Sequence, residues 1–166
     1  MSLSTPSNQP EYPPIFEIGR HIINAKELRA LCVNNFPSSY TRPQIMDGLE
    51  KILTKIINAD IKGEIWVNGS FVTKKINPND VDLVLRISAE LYENGNDTLR
   101  ETLDWLSSNL KGSHLCDSYC FMEWPEGHKN YWIGQYMHTY WMRQFGFSRG
   151  NQMKGIPVLN IPGALS

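Results

Sequence analysis

Apolar positions in this chain recur with two periods. Ile45, Leu49, Ile52, Leu53 and Ile56 return at helical spacing. They predict a helix that starts at Thr41 or Arg42, with Pro43 in its first turn, Gln44 at the capping-box position and one broad apolar face. Leu99, Leu103, Leu106 and Leu110 form a second stripe, with Asp97 as its cap. Residues 24–36 read as a shorter helix, capped by Asn24 with Glu27 three residues on. Residues 129–145 read as a helix rich in aromatic rings. Short β-branched or alternating runs predict strands over 64–68, 81–87 and 114–123, the last stopped by Pro125-Glu126-Gly127. Residues 156–161 form a short strand or extended segment. Helices before and between short strands predict an α/β or α+β fold: a mixed sheet, helices mainly on one of its faces, and an N-terminal helical extension.

The length of 166 residues fits one domain over 13–166, preceded by a polar tail over 1–12 that reads as disordered. No apolar run is long enough to span a membrane and no signal peptide opens the chain, so a cytoplasmic protein is expected. Cys32, Cys116 and Cys120 have no CxxC spacing and read as reduced thiols. Cys116 and Cys120 lie four apart on a predicted strand, which suits a buried strand face better than a zinc site. The net charge of −1 argues against global electrostatic binding of nucleic acid. The distribution is uneven, however. Residues 127–166 contain Lys129, Arg143, Arg149 and Lys154 and no carboxylate. That segment is either an ordinary surface or one that faces a polyphosphate.

The candidate chemistry lies near the middle of the chain, where Gly69-Ser70 is followed by Asp80-Val81-Asp82-Leu83. Residues i and i+2 of a strand point to the same side, so Asp80 and Asp82 project together at a strand's start. Two carboxylates so close need a cation between them, and a divalent metal such as magnesium suits a few carboxylates with phosphates and water. Gly69 permits close approach of backbone to a phosphate, and Ser70 supplies a hydroxyl. Thr73, Lys74 and Lys75 share that loop, where solvated lysines are the plainer reading. Tyr131, Trp132, Tyr136, Tyr140, Trp141 and Phe145 at helical spacing predict mostly core or lid packing, with Tyr136 and Tyr140, or Tyr140 with Trp141 beside it, able to stack on a base. Arg143, Arg149 and Lys154 follow as candidate phosphate ligands. His21, His114, His128 and His138 show no ligand spacing.

The segment Val67-Asn68-Gly69-Ser70 … Asp80-Val81-Asp82-Leu83-Val84 resembles the core motif of the nucleotidyltransferase superfamily typified by DNA polymerase beta. More of the chain resembles a group of short bacterial proteins of unassigned function. The shared residues are Pro13-Pro14, Gly69-Ser70-Phe71-Val72-Thr73, Pro78-Asn79-Asp80, Arg143-Gln144-Phe145-Gly146, Arg149 and Lys154-Gly155. The resemblance implies a minimal nucleotidyltransferase-like domain. It implies transfer of a nucleoside monophosphate from an NTP to a hydroxyl, with Mg2+ or Mn2+ held by Asp80 and Asp82. The superfamily's third carboxylate falls on Asp117, with Glu123 as second choice. Gly69, Ser70, Arg143, Arg149 and Lys154 would bind the nucleotide. The acceptor stays open between protein, RNA and small molecule, as do a small partner protein and a toxin–antitoxin or phage-defence setting. The rival reading is an inactive module of the same fold, serving as antitoxin or nucleotide sensor.

Overall fold

The computed structural model describes residues 10–166. A five-stranded mixed sheet has the order β1-β5-β2-β3-β4. The strands are β1 (Gly19–Ile22), β2 (Gly63–Asn68), β3 (Val81–Ser88), β4 (Cys116–Glu123) and β5 (Gly155–Ile161). β1 runs parallel to β5 and β3 parallel to β4, while β2 is antiparallel to both of its neighbours. The helices are α1 (Ala25–Arg29, continued by a wider turn to Asn34), α2 (Arg42–Asn58), α3 (Ala89–Glu93), α4 (Asp97–Leu106), α5 (Lys111–His114) and α6 (Tyr131–Gly146).

Strand alternation divides the core in two. Val81, Leu83, Leu85 and Ile87 of β3 face a large apolar layer built from α1, α2 and α4, where Leu28, Ile45, Leu49, Ile52 and Leu103 are buried. Asp82, Val84 and Arg86 of β3 face the other way. There Val84, Trp66, Phe121 and Val158 pack beneath Trp141 and Phe145 of α6. The expected arrangement therefore holds: a mixed sheet with helices mainly on one face, and α6 alone covering the other among the described helices.

Local signals explain most boundaries. Asn24 and Glu27 form the expected reciprocal capping box at α1. At α4 the cap is Asn96 rather than Asp97, because the Asn96 side chain accepts from the Leu99 amide at 2.9 Å. α2 begins at Arg42, but Thr41 makes no side-chain cap there and the Ser39 hydroxyl accepts from the Arg42 amide instead. The N-terminal extension is more than helical, since β1 adds an edge strand to the sheet before α1. Of the expected disordered tail, residues 1–9 lie outside the described residues. Pro10 to Tyr12 do not hang free. Glu11 accepts from the Gly150 amide at 2.6 Å, and the chain after it pairs Pro14 with Thr73 and bonds the Lys74 amide to the Pro13 carbonyl at 2.9 Å. No helix among the described residues is long and apolar enough to cross a membrane.

Candidate functional site

The cleft lies at the head of β3 and β4 on the α6 side of the sheet. Asp82 is the second residue of β3 and is the register partner of Asp117 on β4 and of Asn68 on β2. Hydrogen-bonded strands lie about 4.8 Å apart, so the side chains of Asp82 and Asp117 stand side by side. Asp80 ends the loop just before β3. Asp117 is thus the third carboxylate of the cluster. Glu123, the second choice, stands at the far end of β4, where its carboxylate accepts from Arg86 at 2.9 Å. That end of the sheet carries its own paired network: Glu64 receives Arg20 at 2.6 Å, Trp66 Nε1 at 3.0 Å and Arg86 at 3.1 Å.

Lys111, which the sequence pattern does not single out, is the resident cation of the cluster. Its ammonium lies 3.4 Å from Asp80 and 3.5 Å from Asp117. Those two carboxylates, Asp117 first, hold its pKa above the usual lysine value. Lys111 opens α5, whose four residues carry no strong helix signal. α5 is seated because Gly48 of α2 lies against the His114 carbonyl where a Cβ would collide. Leu115 in the left-handed region then turns the chain into β4.

Asp82 is the least well compensated of the three acids. Burial first, and then the charges of Asp80 and Asp117, push its pKa up to about 6 against the opposing pull of Lys111 and Lys154. Lys154 is half-buried and lines the same cleft. Burial lowers its pKa, with Arg149 adding to the effect and Asp82 and Glu11 opposing it. Among the described residues no three His, Cys, Asp or Glu side chains are already drawn together as metal ligands, and Lys111 stands between two of the carboxylates.

The glycine turn lies directly against the acids. Gly69 has φ +89°, a conformation that favours glycine, and a Cβ there would stand 2.9 Å from Asp82 Oδ2. Ser70 begins a single 3-10 turn to Val72. We expect Gly69→Ala to lose about 1–3 kcal/mol of stability in denaturant unfolding, from the strained backbone and the displaced carboxylate. A loss within 0.5 kcal/mol would show that the turn relaxes freely.

The cleft has a volume of about 1070 Å³, and Gly69, Ser70, Asp80, Asp82, Asp117 and Lys111 line one side of it. Arg143, Arg149 and Lys154 line it as well, so these cations and the glycine turn and aspartates share one cavity, whereas Lys74, Glu123, Tyr136 and Tyr140 are not among its lining residues. Arg143 comes from the last turn of α6, lies 4.3 Å from the Phe147 ring centre and donates to Asn151. Glu11 and Tyr12 complete a wall that the sequence had assigned to a tail. Asn68 is buried, lines the cleft, and donates through Nδ2 to the Gln144 carbonyl, while its Oδ1 has no partner. The aromatic helix departs from expectation. It buries Trp141 and Phe145 but leaves Trp132, Tyr136 and Tyr140 exposed, because α6 meets the sheet with one face and no further layer covers it.

No curated protein and no solved structure matches the chain. One family model matches residues 9–160, which include every cleft residue named above, and the chain belongs to that family, described as a family of unknown function (DUF6932).

Proposed function

We propose that the protein is a metal-dependent nucleotidyltransferase that moves a nucleoside monophosphate from an NTP to a hydroxyl. One observation carries the reading: Gly69 with φ +89° lies against Asp82 Oδ2, so the Gly69-Ser70 turn and the aspartates Asp80, Asp82 and Asp117 line one cleft. Arg143, Arg149 and Lys154 stand in the same cleft with the charge to receive a polyphosphate.

The residues fit a divalent cation. Asp80, Asp82 and Asp117 line the same cleft, and burial first, then the charges of Asp80 and Asp117, push the pKa of Asp82 up to about 6, so a cation displacing Lys111 would relieve all three. Asp80, Asp82 and Asp117 would hold the metal, which when bound supplies charge neutralisation for the phosphates and for the attacking and leaving oxygens. Gly69 leaves room for the Asp82 carboxylate beside the turn, and the Ser70 hydroxyl and local amides would orient the phosphate oxygens. Arg143 and Lys154 draw the triphosphate into the cleft and offset the charge that builds on the departing pyrophosphate. Asp117, which already accepts from the Tyr119 hydroxyl at 3.1 Å, would take the proton of the incoming hydroxyl.

The Lys111 ammonium between Asp80 and Asp117 favours a second reading. A fixed cation there would let the cleft bind a nucleotide without turnover, as an antitoxin or nucleotide sensor. Thermal unfolding with each NTP, with and without Mg2+ or Mn2+, followed by incubation with labelled NTP and cell lysate, separates the two. Metal-dependent stabilisation with a labelled product supports transfer. Metal-independent stabilisation without product supports the binding module, and no stabilisation by any nucleotide overturns both. Within the same assay Arg143→Ala is expected to weaken nucleotide binding by about 1–3 kcal/mol, the scale of a hydrogen bond to a charged group. Added salt should weaken the wild type more than the variant.

A further inference from the structure

Trp132, Tyr136, Tyr140 and Arg143 follow one another at intervals of four, four and three along α6. At 100° per residue they fall within about 80° of arc, one stripe on the side of the helix away from the sheet. The rings are unusually open: Trp132 is 76 % exposed, Tyr136 69 % and Tyr140 43 %. The stripe has a direction. Near the N-terminal end of α6, Gly134 lies against the backbone of Glu123, while at the C-terminal end Arg143 lines the cleft. The aromatic surface also continues inward. Tyr140 packs edge-on to Trp141 at 5.2 Å, Tyr119 meets Trp141 at 5.0 Å, and the Tyr119 hydroxyl bonds Asp117. Tyr119 is itself 43 % exposed.

We propose that this stripe is a stacking track for a single-stranded polynucleotide whose terminal hydroxyl enters the cleft. The proposal rests on the nucleotidyl-transfer reading and assigns its acceptor class. Exposed rings serve single strands because every base offers a face to stack on, whatever its sequence. Successive rings four residues apart are spaced by about 6 Å along the helix, which allows one base per ring with the backbone extended. The flanking charge suits phosphates, since Lys129 precedes α6 and Arg143 ends the stripe, and residues 127–166 contain no carboxylate. Tyr, Trp and Arg are common at protein interfaces as well, and it is the run of the stripe to Arg143, in a cleft that Arg149 and Lys154 also line, that favours a polyanionic strand as its occupant. In the transfer the terminal hydroxyl oxygen bonds the α-phosphorus of the NTP. The bond from that phosphorus to the bridging oxygen breaks, pyrophosphate leaves with the electron pair, and the hydroxyl proton passes to Asp117.

The test is fluorescence anisotropy of the full chain with labelled single-stranded oligoribonucleotide and oligodeoxyribonucleotide, read beside nucleotide- and metal-dependent thermal stabilisation. We expect the wild type to bind an oligonucleotide with quenching of its tryptophan emission, and more weakly as salt rises. Trp132→Ala with Tyr136→Ala should weaken binding at least tenfold while leaving the nucleotide-dependent stabilisation unchanged. Both positions are exposed, so the double variant is expected to fold, and Trp132→Phe with Tyr136→Phe should restore most of the affinity. Failure of the wild type to bind either oligonucleotide, or equal binding by the double alanine variant, overturns the track and turns the stripe into a surface for a protein. Loss of the nucleotide response with oligonucleotide binding intact would overturn the transfer reading and leave the track standing.

Discussion

Asp82→Asn is expected to do two opposite things: remove the stabilisation conferred by nucleotide with metal, and make the metal-free protein more stable than the wild type at pH 7. The first follows from the place of Asp82 between Asp117 and Gly69, where it would be a shared ligand. A ligand at a hundred times its dissociation constant stabilises by about 2.7 kcal/mol, which in a domain of this size raises Tm by roughly 5–10 °C. The variant should show none of that rise. The second follows from linkage. The carboxyl of Asp82 holds its proton more tightly in the folded protein, with a pKa raised from its ordinary 3.8 to about 6. A raised pKa contributes stability that is fully present below pH 3.8 and is lost as the pH climbs through about 6. At pH 7 the ionised, half-buried carboxylate therefore costs on the order of 3 kcal/mol. Asparagine avoids that cost. Denaturant unfolding with a chelator present should show wild type and variant nearly equal at pH 4, with the variant ahead at pH 7. A variant less stable than the wild type at pH 7 would mean that Asp82 is satisfied without a metal.

Arg42→Ala is expected to be the most destabilising single substitution of a polar residue, at about 4 kcal/mol or more. Arg42 is fully buried in the first turn of α2, yet no carboxylate pairs with it among the described residues. Its guanidinium instead donates to the carbonyls of Cys32 and Phe71 at 2.8 and 2.6 Å, of Thr73 at 2.5 Å and of Lys75 at 2.6 Å. The Phe36 ring centre lies 3.8 Å away. Burial lowers its pKa from the usual value. Truncation leaves four carbonyls without a donor, each costing about 1–3 kcal/mol where water cannot replace it, and it opens a cavity as well. A loss above 4 kcal/mol is exceptional for one substitution and marks such a network. Arg42→Lys keeps a cation but lacks the planar fork, so its loss should be intermediate. Three of the four carbonyls belong to residues 71–75, which follow the Gly69-Ser70 turn. The lysine variant should therefore also respond less to nucleotide. A loss below 1 kcal/mol on Arg42→Ala would show that the loop is held by other contacts.

These two residues mark the limits of reading the chain as a line. Asp82 is legible because local pattern suffices: a carboxylate two residues after another, inside a β-branched run, belongs to a strand and needs a partner. Asp117 is nearly as legible, since a second strand run places it on the right parity. Arg42 looks like any residue at a helix start. Its role comes from carbonyls at residues 32 and 71–75, which meet only in three dimensions. Lys111 is hidden for the same reason, because Gly48 and Leu115, distant from each other in sequence, fix where α5 lies. Gly19–Ile22 reads Gly-Arg-His-Ile, with no period to announce a strand, and it becomes one only because β5 offers a free edge. Glu11 sits in a polar stretch whose order depends on the loop at Ser148–Gly150.

The α6 face of the sheet holds carboxylates at both ends, and they have different freedom to change. Glu64 and Glu123 are matched by Arg20 and Arg86. A matched set of partly buried ions can be exchanged as a group for well-packed apolar side chains with little loss, so a drifting or redesigned sequence can rewrite that end without harming the fold. Asp80, Asp82 and Asp117 outnumber the lysines nearest them. Relieving the crowding at Asp82 gains stability, as Asp82→Asn would, while Asp80 and Asp117 keep their pairs with Lys111. Selection for folding alone would therefore remove Asp82 and spare the network, so that aspartate would last in a lineage only while the cleft was in use.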